Sequence, residues 1–566
     1  MKLKDFIFGF STLLLALALF FFLSKQSASE DRAAEQIITQ NNLHNGIETE
    51  ESSIPEEEGV SAYAVAAIRQ GFLEESLQPN PSYKESSEEI TGEQIVKFHD
   101  DGAYRKFLES AEEKGFEIIS KIPALDSIRV RGDADSLEDL LEDKGSLSPN
   151  LFVSIPSDPV NKLSDHTQEL LSIGPYLYLW LGLEEINNEW GSGVTVAVLD
   201  NGIEEHAALE GVVVDTLDMT SEFGGQQVGS AMTNIEAKSD GTSAHGTAVA
   251  SLIGGLLGGY KGLAPSSKII DVRVLDEFGV GDSFTVASGL VEAVDSGAQI
   301  INMSLGSYGQ SQILKEAVAY ANAKEVVVVG ASGNEGYDRL VYPARFESVL
   351  SVGAVDGNSR YAYFSNGGEG LDVVAPGVGL QAAWFEDGWI SFSGTSASAA
   401  VVSGLVAAVA SLEGSNVLAA QELVMNYLDE AGQPGVDPMY GSGIINMNRI
   451  LQREERGLLD IAISSHYYIP AGADSNPYPK VQSVVQNRGT ENLFNINHAI
   501  KLDGVPMNFT IPQLQVGEIA VHEQEIIKNM NYGGAVQITS QVSLFQKDDI
   551  EPRNNSMTST LQKRVE

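Results

Sequence analysis

Hydrophobic and polar positions follow three different patterns along the chain, and each pattern predicts a different kind of domain. The first covers 94–156, where apolar runs and helical patterns follow in the order strand, helix, strand, strand, helix, strand. The predicted strands are 94–98, 116–122, 127–131 and 151–155, and the predicted helices are 103–114 and 134–142. This is the β-α-β-β-α-β order of a ferredoxin-like α+β fold.

The second pattern covers 175–451, where continuously apolar strands alternate with helical stretches. The predicted strands are 268–274, 300–303 and 326–330, and the predicted helices are 284–296 and 311–324. Strands that are apolar on both faces indicate an α/β fold, with a mostly parallel sheet covered by helices on both faces. Functional groups in such sheets collect at the carboxyl ends of the strands.

The third pattern begins after a polar linker at 452–456 and covers 457–566. Short alternating segments predict strands at 459–464, 480–486, 495–502, 519–522 and 536–542, with turn signals between them. This spacing is typical of an all-β sandwich.

The N-terminal residues are not expected to belong to any of these domains. An apolar run at 6–23 follows two lysines, which is typical of an export signal or a membrane anchor within 1–29. It is just long enough to span a bilayer, which takes roughly 18 to 20 residues. We favour cleavage after Ala28 or Ser29 and a secreted or cell-envelope location, with an uncleaved anchor as the alternative. The segment 30–93 is rich in Glu, Ser, Asn and Gln, which indicates a flexible acidic linker.

Composition excludes several classes of chemistry. The 566 residues include no cysteine, so disulfides, thiolate zinc sites and a cysteine nucleophile are ruled out. The formal net charge of −43 argues against nucleic acid as a partner, because binding to phosphates needs a basic surface.

Three polar residues in the α/β region form a candidate catalytic set. Asp200 ends an apolar strand, His245 opens a helix of small residues, and Ser396 precedes the apolar run 401–412. A serine at a helix N-terminus lies at the positive end of the helix dipole. A carboxylate, an imidazole and a hydroxyl together supply an orienting group, a base and a nucleophile. His206 is a rival base by proximity in sequence, but it lies in a loop without that helical context.

The motifs around these residues resemble those of the subtilases, the subtilisin-like serine peptidases, from about 176 to 451. The matching segments are VTVAVLDNG at 194–202, SAHGTAVA at 243–250, VVVVGASGNEG at 326–336 and GTSASAA at 394–400. The chain order Asp, His, Ser is that of subtilisin.

The resemblance implies a peptide hydrolase with catalytic residues Asp200, His245 and Ser396. It further implies that the Asn334 amide donates to the oxyanion and that an extended substrate lies between 279–282 and 304–306. The implied substrate-binding residues are Ser304, Leu305, Gly306, Ala331, Ser332 and Gly333. A primary pocket of small residues predicts room for a sizeable apolar side chain, and Glu335 at its mouth would accept a basic one.

Four positions depart from the family pattern, and none of them removes a reacting group. They are Asn201 after the aspartate, Ala248 in place of a second histidine, and Ala397 and Ala400 in place of methionine and proline. The loop at 252–260 lacks the asparagine that supplies calcium ligands in subtilisin, so no metal or other cofactor is predicted with assurance. Calcium could still bind the acidic loops 215–218 or 276–282, although a solvated turn is the favoured interpretation of both.

The domains that flank the α/β region resemble known companions of subtilases. The position of 94–156 resembles a subtilase propeptide, which implies an intramolecular inhibitor, a zymogen and a maturation cut between about 157 and 174. The turns and terminal segment of 457–566 are similar to bacterial cell-adhesion-related immunoglobulin-like domains, which implies a cell-surface partner or only a spacer. The partners expected overall are protein or peptide substrates and the propeptide itself.

Two other functions stay open from the sequence alone. One is a pseudopeptidase that binds peptides without cutting them. The other is a surface adhesion protein whose C-terminal sandwich carries the main function. Covalent labelling of the serine and deletion of 457–566 distinguish the three interpretations.

Overall fold

The computed structural model describes residues 70–72, 89–141, 144–157, 159, 170–220, 244–471, 478–526, 535–545 and 547–561. All of them belong to one compact unit, Ser61–Glu566. The predicted signal or anchor at 1–29 lies outside the described residues, as does most of the predicted linker at 30–93. Two parts of that linker region form strands, β1 (Gln70–Phe72) and the start of β2 (Glu89–Phe98). The linker prediction is wrong there because each segment pairs with a strand that is distant in sequence.

The N-terminal α+β region is an antiparallel sheet with two helices. Its elements are β2, α1 (Asp101–Ser110), β3 (Glu117–Ile122), β4 (Ser127–Arg131), α2 (Ala134–Leu141) and β5 (Gly145–Ser154). The sheet order is β5-β2-β4-β3. The helix α1 ends at Ser110, before the predicted 114, because a 3-10 turn and Gly115 at φ +87° follow it. The buried side chains of both helices pack on the sheet around Phe98 and Ile128.

The central region contains a seven-stranded parallel sheet, which confirms the predicted α/β fold. The sheet order is β15-β14-β13-β12-β6-β10-β7. The strands are β6 (Thr195–Asp200), β7 (Val213–Asp218), β8 (Leu256–Leu257), β9 (Tyr260–Lys261), β10 (Lys268–Arg273), β11 (Val280–Asp282), β12 (Ile300–Met303), β13 (Val327–Ala331), β14 (Leu350–Val355), β15 (Val373–Pro376), β16 (Leu380–Trp384) and β17 (Gly388–Phe392). The helices are α3 (Leu177–Trp180), α4 (His245–Gly254), α5 (Ser283–Asp295), α6 (Gln312–Ala323), α7 (Thr395–Leu412), α8 (Val417–Asn426) and α9 (Met447–Gln452).

Helices cover both faces of this sheet because its strands are apolar on both sides. In β6, Val196 and Val198 pack in the core that contains α4 and α7, whereas Ala197 and Leu199 pack in the core that contains α5 and α6. Among the described residues, α7 is the one helix long and apolar enough to cross a membrane, and it is largely buried in this core.

The C-terminal region consists of two β-sheets that pack on each other. The strands are β18 (Ile461–Ile469), β19 (Lys480–Asn487), β20 (Leu493–Leu502), β21 (Val505–Leu514), β22 (Ile519–Glu525), β23 (Val536–Ser543) and β24 (Ser556–Leu561). One sheet has the order β1-β24-β23-β20-β21 and the other β18-β19-β22. Apolar side chains from both sheets, such as Ile463 and Ile496, share one core. Strands β1, β21 and β24 were not predicted from the sequence.

One carboxyl group is buried in the central sheet with only part of its hydrogen-bonding capacity satisfied. Asp271 lies in β10 and is 5% exposed, and its Oδ1 atom has no hydrogen-bond partner among the described residues. Burial raises the pKa of Asp271 to about 7, and the charge of the nearby Asp200 also raises it. The folded protein therefore binds a proton at this position that the unfolded chain releases near pH 4.

We predict that Asp271→Asn stabilises the protein more at pH 9 than at pH 5. Because the pKa is raised by folding, wild-type stability falls as the pH rises through 7, and the substitution removes that loss. The difference between the two pH values is roughly 2–3 kcal/mol, since one pKa unit corresponds to about 1.36 kcal/mol. Thermal unfolding in a Ser396→Ala background measures it. A gain in stability that is the same at both pH values would contradict the prediction.

Candidate active site

The parallel sheet and helix α4 bring Asp200 and His245 together. Asp200 is the last residue of β6 and is fully buried, and His245 is the first residue of α4. The Nδ1 atom of His245 lies 2.9 Å from each oxygen of the Asp200 carboxylate. This contact fixes the imidazole ring and leaves Nε2 available to accept a proton.

Two neighbouring residues hold the start of α4 against the end of β6. The Gly246 N–H donates to Asn201 Oδ1 at 3.1 Å, so the asparagine that departs from the family pattern has a structural role. A Cβ atom at Gly246 would lie 2.4 Å from the Gly202 carbonyl oxygen, so this close approach requires glycine.

Ser396 is the second residue of α7 and is 2% exposed. Its Oγ atom has no hydrogen-bond partner among the described residues, and therefore no hydrogen bond to His245. A buried hydroxyl without a protein partner is uncommon in native proteins, and catalytic groups are among the exceptions. Catalytic hydrogen bonds of this kind often tighten only when a substrate is bound.

Asn334 follows β13 and has a fixed amide orientation. Its Oδ1 atom accepts hydrogen bonds from the Thr395 N–H and the Thr395 hydroxyl, both at 2.9 Å. The Nδ2 donor therefore points away from Thr395, and it donates to the Ser157 carbonyl at 3.1 Å. Gly394 adopts φ +140°, and a Cβ atom there would lie 2.9 Å from Asn334 Nδ2. Glycine is thus required between the amide donor and the serine.

His206, the rival base, has a structural role. Its Nδ1 atom accepts from the Ala208 N–H at 3.0 Å, and its Nε2 atom lies 3.0 Å from the Gly388 carbonyl oxygen. The ring also packs edge-on against Trp389. Both ring nitrogens are therefore occupied.

The two predicted substrate edges enclose a strand of the chain itself. Ser154, at the end of β5, exchanges two backbone hydrogen bonds with Gly306, at 2.8 and 3.0 Å. On the other side β5 pairs antiparallel with β11, and the Ile155 N–H donates to the Gly279 carbonyl at 3.0 Å. The segment that leads to Ser157 therefore lies between 279–282 and 304–306 as an added strand.

The other predicted substrate-binding residues are mostly buried. Leu305 and Ala331 have their side chains in the two cores of the sheet. The Ser304 hydroxyl donates to the Ser396 carbonyl at 3.2 Å. The Ser332 hydroxyl donates to the Asn366 carbonyl, and the Gly333 N–H donates to the Thr395 hydroxyl. The contacts of Ser332 and Gly333 hold the loop that carries the Asn334 amide.

Glu335 is the charged side chain next to the enclosed strand. The Ser157 hydroxyl donates to Glu335 Oε1 at 2.9 Å, and the Tyr308 hydroxyl donates to Glu335 Oε2 at 2.7 Å. The family resemblance predicts Glu335 at the mouth of a pocket for apolar or basic side chains. In this structure the Glu335 carboxylate accepts a hydrogen bond from the Ser157 hydroxyl.

The acidic loops considered for calcium have internal partners. Asp218 Oδ1 accepts from the Thr220 N–H and hydroxyl, and Asp276 Oδ1 accepts from the N–H groups of Phe278 and Val280. In the part of the chain that the structure describes, no group of three acidic or histidine side chains could hold a metal ion.

Comparison with known proteins agrees with this geometry. The sequence profile of the Subtilase family matches residues 191–443. The chain is 30% identical over 387 residues to an alkaline protease of Shouchella clausii, a match that covers 66% of this chain and 94% of that protein. The chain belongs to the subtilase family. This subtilase is also 37% identical over 259 residues to subtilisin Savinase of Lederbergia lenta, covering 45% of the chain and 90% of that protein. It is 39% identical over 259 residues to alkaline elastase YaB of Bacillus sp. (strain YaB), a match that covers 45% of this chain and 64% of that protein.

The family membership establishes the class of enzyme. The chain is a subtilisin-type serine endopeptidase. Sequence reasoning missed three residues that shape the site: Thr395, which orients the Asn334 amide, Asn201, which holds helix α4, and Ser157, whose carbonyl meets the amide donor. The family motif GTS already contains Thr395, but nothing in a motif indicates which side chain the threonine contacts.

We predict that Asn334→Ala lowers kcat by roughly 100- to 1000-fold, the loss that follows removal of one oxyanion donor in subtilisin. KM should change much less, because the donor acts mainly in the transition state. Steady-state kinetics on a chromogenic peptide measures both. The control is Asn426→Ala, an exposed amide at the end of α8. A loss below tenfold would contradict an oxyanion role for Asn334.

Proposed function

We propose that this subtilase is an exported zymogen that hydrolyses internal peptide bonds through an acyl-enzyme at Ser396. His245 Nε2 accepts the proton of the Ser396 hydroxyl as Oγ attacks the peptide carbonyl carbon. His245 then donates that proton to the departing amine, and the C–N bond breaks. Water then attacks the acyl carbon while His245 Nε2 accepts its proton. That proton passes to Ser396 Oγ as the ester C–O bond breaks and the acid leaves. Asp200 holds the ring and stabilises the imidazolium in both steps.

The negative oxygen of each tetrahedral intermediate needs two fixed donors. We assign these to Asn334 Nδ2 and to the backbone N–H of Ser396. The first is supported by its hydrogen bond to the Ser157 carbonyl. The second lies in the first turn of α7, where N–H groups lack helical partners and the helix dipole favours negative charge.

One observation carries the proposal of peptide hydrolysis by this chain. The segment 154–157 pairs with both edges of the cleft, and the Ser157 carbonyl accepts the hydrogen bond of the proposed oxyanion donor. The chain's own polypeptide thus lies in the position of a substrate. This arrangement supports extended proteins or peptides as substrates and the bond after Ser157 as the maturation cut.

The region 94–156 is proposed to act as the propeptide and the intramolecular inhibitor. Arg129 forms ion pairs with Glu93 at 2.6 Å and with Asp282 of the peptidase at 3.0 Å, and all three side chains are buried. The Asn150 Oδ1 atom accepts from the Phe284 N–H at 3.2 Å, in the first turn of α5. These contacts hold the α+β region on the helix face beside the cleft.

Export and the role of the C-terminal region are further parts of the proposal. The apolar run at 6–23 supports export, with either a cleaved signal or a retained membrane anchor. The two sheets of 457–566 support an immunoglobulin-like accessory domain, which would act as a spacer or bind a cell-surface partner.

We predict that the purified wild-type protein matures to a species with residue 158 at its N-terminus. N-terminal sequencing and mass spectrometry identify the cut. The Ser396→Ala protein should keep the α+β region attached, because the nucleophile is absent. Cleavage at this bond in the Ser396→Ala protein, or a mature wild-type N-terminus before residue 150, would overturn self-processing at Ser157.

We predict that Arg129→Met shortens the lag before the matured protein becomes active. Removing one partner of a buried ion pair costs roughly 3–5 kcal/mol because the remaining charges stay buried. The association of the cut α+β region should therefore weaken by roughly 100-fold or more. Activity is followed against time after the cut. The control is Arg105→Met, since Arg105 forms an exposed pair with Asp101. Equal lags in the two variants would contradict the inhibitory contact.

A further inference from the structure

A cavity of about 1560 Å³ lies between the peptidase and the C-terminal sheets. It begins at Asn334 and Glu335, beside the carbonyl of Ser157. Its far wall is formed by residues of β18, among them His466 and Tyr467. The cavity is larger than the 300–1,000 Å³ typical of small-molecule sites, and it lies at a domain interface, where binding sites are frequent.

Buried polar contacts hold the two walls of this cavity in place. Arg488 of the C-terminal region forms an ion pair with Asp429 of the peptidase at 3.0 Å. Gln486 accepts from the Glu430 N–H at 3.0 Å and donates to the Leu428 carbonyl at 3.2 Å. The side chains of Asp429, Gln486 and Arg488 are all buried. The cavity is therefore a built feature of the fold.

The charges that line the cavity leave an excess of carboxylates. Arg360 pairs with Asp356, Arg449 and Arg488 both pair with Asp429, and Arg553 pairs with Glu551. His466 is uncharged at neutral pH, because burial lowers its pKa to about 4. Seven lining carboxylates form no ion pair with any described residue: Glu184, Glu335, Asp338, Glu369, Glu430, Asp437 and Asp460.

Two of these seven carboxylates are buried in the peptidase wall. Asp437 is 6% exposed, and its Oδ1 atom accepts from the N–H groups of Met439 and Tyr440. Its Oδ2 atom has no hydrogen-bond partner among the described residues. Glu430 is 8% exposed and accepts one hydrogen bond, from the Gly435 N–H. Burial raises the pKa of Glu430 to about 7 and that of Asp437 to about 6, so a cation in the cavity would stabilise their charged forms.

We propose that this cavity is an exosite that binds a lysine- or arginine-bearing segment of the protein substrate through Glu430 and Asp437. An ammonium or guanidinium group would complete the unpaired acceptor. Tyr361, Tyr440 and Tyr467 line the same cavity, and aromatic side chains favour contact with a cation and its alkyl stem. The proposal rests on the proposed hydrolysis of extended polypeptides, since the same chain must reach both the cleft and the cavity.

A metal ion is a poorer fit to this cavity. Among the described residues no three acidic or histidine groups converge as metal ligands. A lysine or arginine side chain can be bound by only two or three hydrogen-bond acceptors together with an aromatic ring, so it does not require converging metal ligands. The acidic chain, with a formal net charge of −43, also attracts basic segments at long range.

The test compares three fluorogenic peptides with one scissile sequence. The first is short and fills only the cleft, the second carries lysine-rich extensions on both ends, and the third has glutamine in place of each lysine. For the mature wild-type enzyme we expect kcat/KM to be about tenfold higher with lysine than with glutamine, the effect of one or two charge-assisted hydrogen bonds. The short peptide reports hydrolysis alone.

The variants Glu430→Gln and Asp437→Asn should bring the lysine-to-glutamine ratio close to 1. The control is Glu347→Gln, an exposed carboxylate outside the cavity, which should keep the wild-type ratio. Equal rates for the two extended wild-type substrates would overturn the exosite, and so would an unchanged ratio in both cavity variants. The comparison of the lysine and glutamine peptides uses the wild-type enzyme, so its result does not depend on whether a variant folds.

A second readout separates the exosite from the proposed hydrolysis. The lysine-rich peptide should bind the full-length Ser396→Ala protein by fluorescence anisotropy, and Glu430→Gln in that background should weaken binding about tenfold. If the mature wild-type protein hydrolysed none of the peptides while the Ser396→Ala protein bound the lysine-rich peptide, the proposed function would be rejected and a site for basic peptides would remain. Hydrolysis without any preference for lysine, and without binding, would reject the exosite and keep the function.

Discussion

The burial of helix α7 across the parallel sheet is the constraint on which the site depends. This helix is apolar on all sides and packs against the sheet, and its N-terminus lies at the carboxyl edge of the strands, where Thr395 contacts Asn334. The same edge holds the ends of β6 and β13. The hydroxyl of Ser396, the Asp200 carboxylate and the Asn334 amide are therefore brought to one edge by packing that involves none of their polar atoms.

Polar contacts then refine the geometry that packing produces. Thr395 uses both its N–H and its hydroxyl to fix the Asn334 amide, which leaves the amide donor directed at the Ser157 carbonyl. Asn201 draws the first turn of α4 onto the end of β6, so that the imidazole of His245 meets the carboxylate. Removing such a contact would displace a reacting group by fractions of an ångström, which is enough to slow catalysis.

The sequence predicted the parts of this molecule that depend on local pattern. The parallel sheet and helices such as α5 follow from apolar periodicity and lie within a residue or two of the predicted bounds. Strand β21 was missed because it contains Pro506 and Pro512 and few buried residues, a composition that only an edge strand tolerates. Strand β24, Ser556–Leu561, was missed because its mostly small polar residues give little apolar signal.

Contacts between distant parts of the chain could not be predicted from pattern. Arg129 meets Asp282 across 153 positions, and Ser157 meets Glu335 across 178. No local signal specifies which edge a strand will join or which carboxylate a buried arginine will find. The contact between Asp200 and His245 could be predicted because the two residues lie in family motifs, and the spatial arrangement of those motifs is known for the family.

The most direct test of the account is covalent labelling by a fluorophosphonate, because it reports whether the Ser396 hydroxyl is an activated nucleophile. We expect the mature protein to gain one phosphonyl group, located at Ser396 by peptide mass spectrometry, and we expect His245→Ala to abolish the reaction. A label on another residue, or a mature, folded protein that takes no label at all, would contradict it.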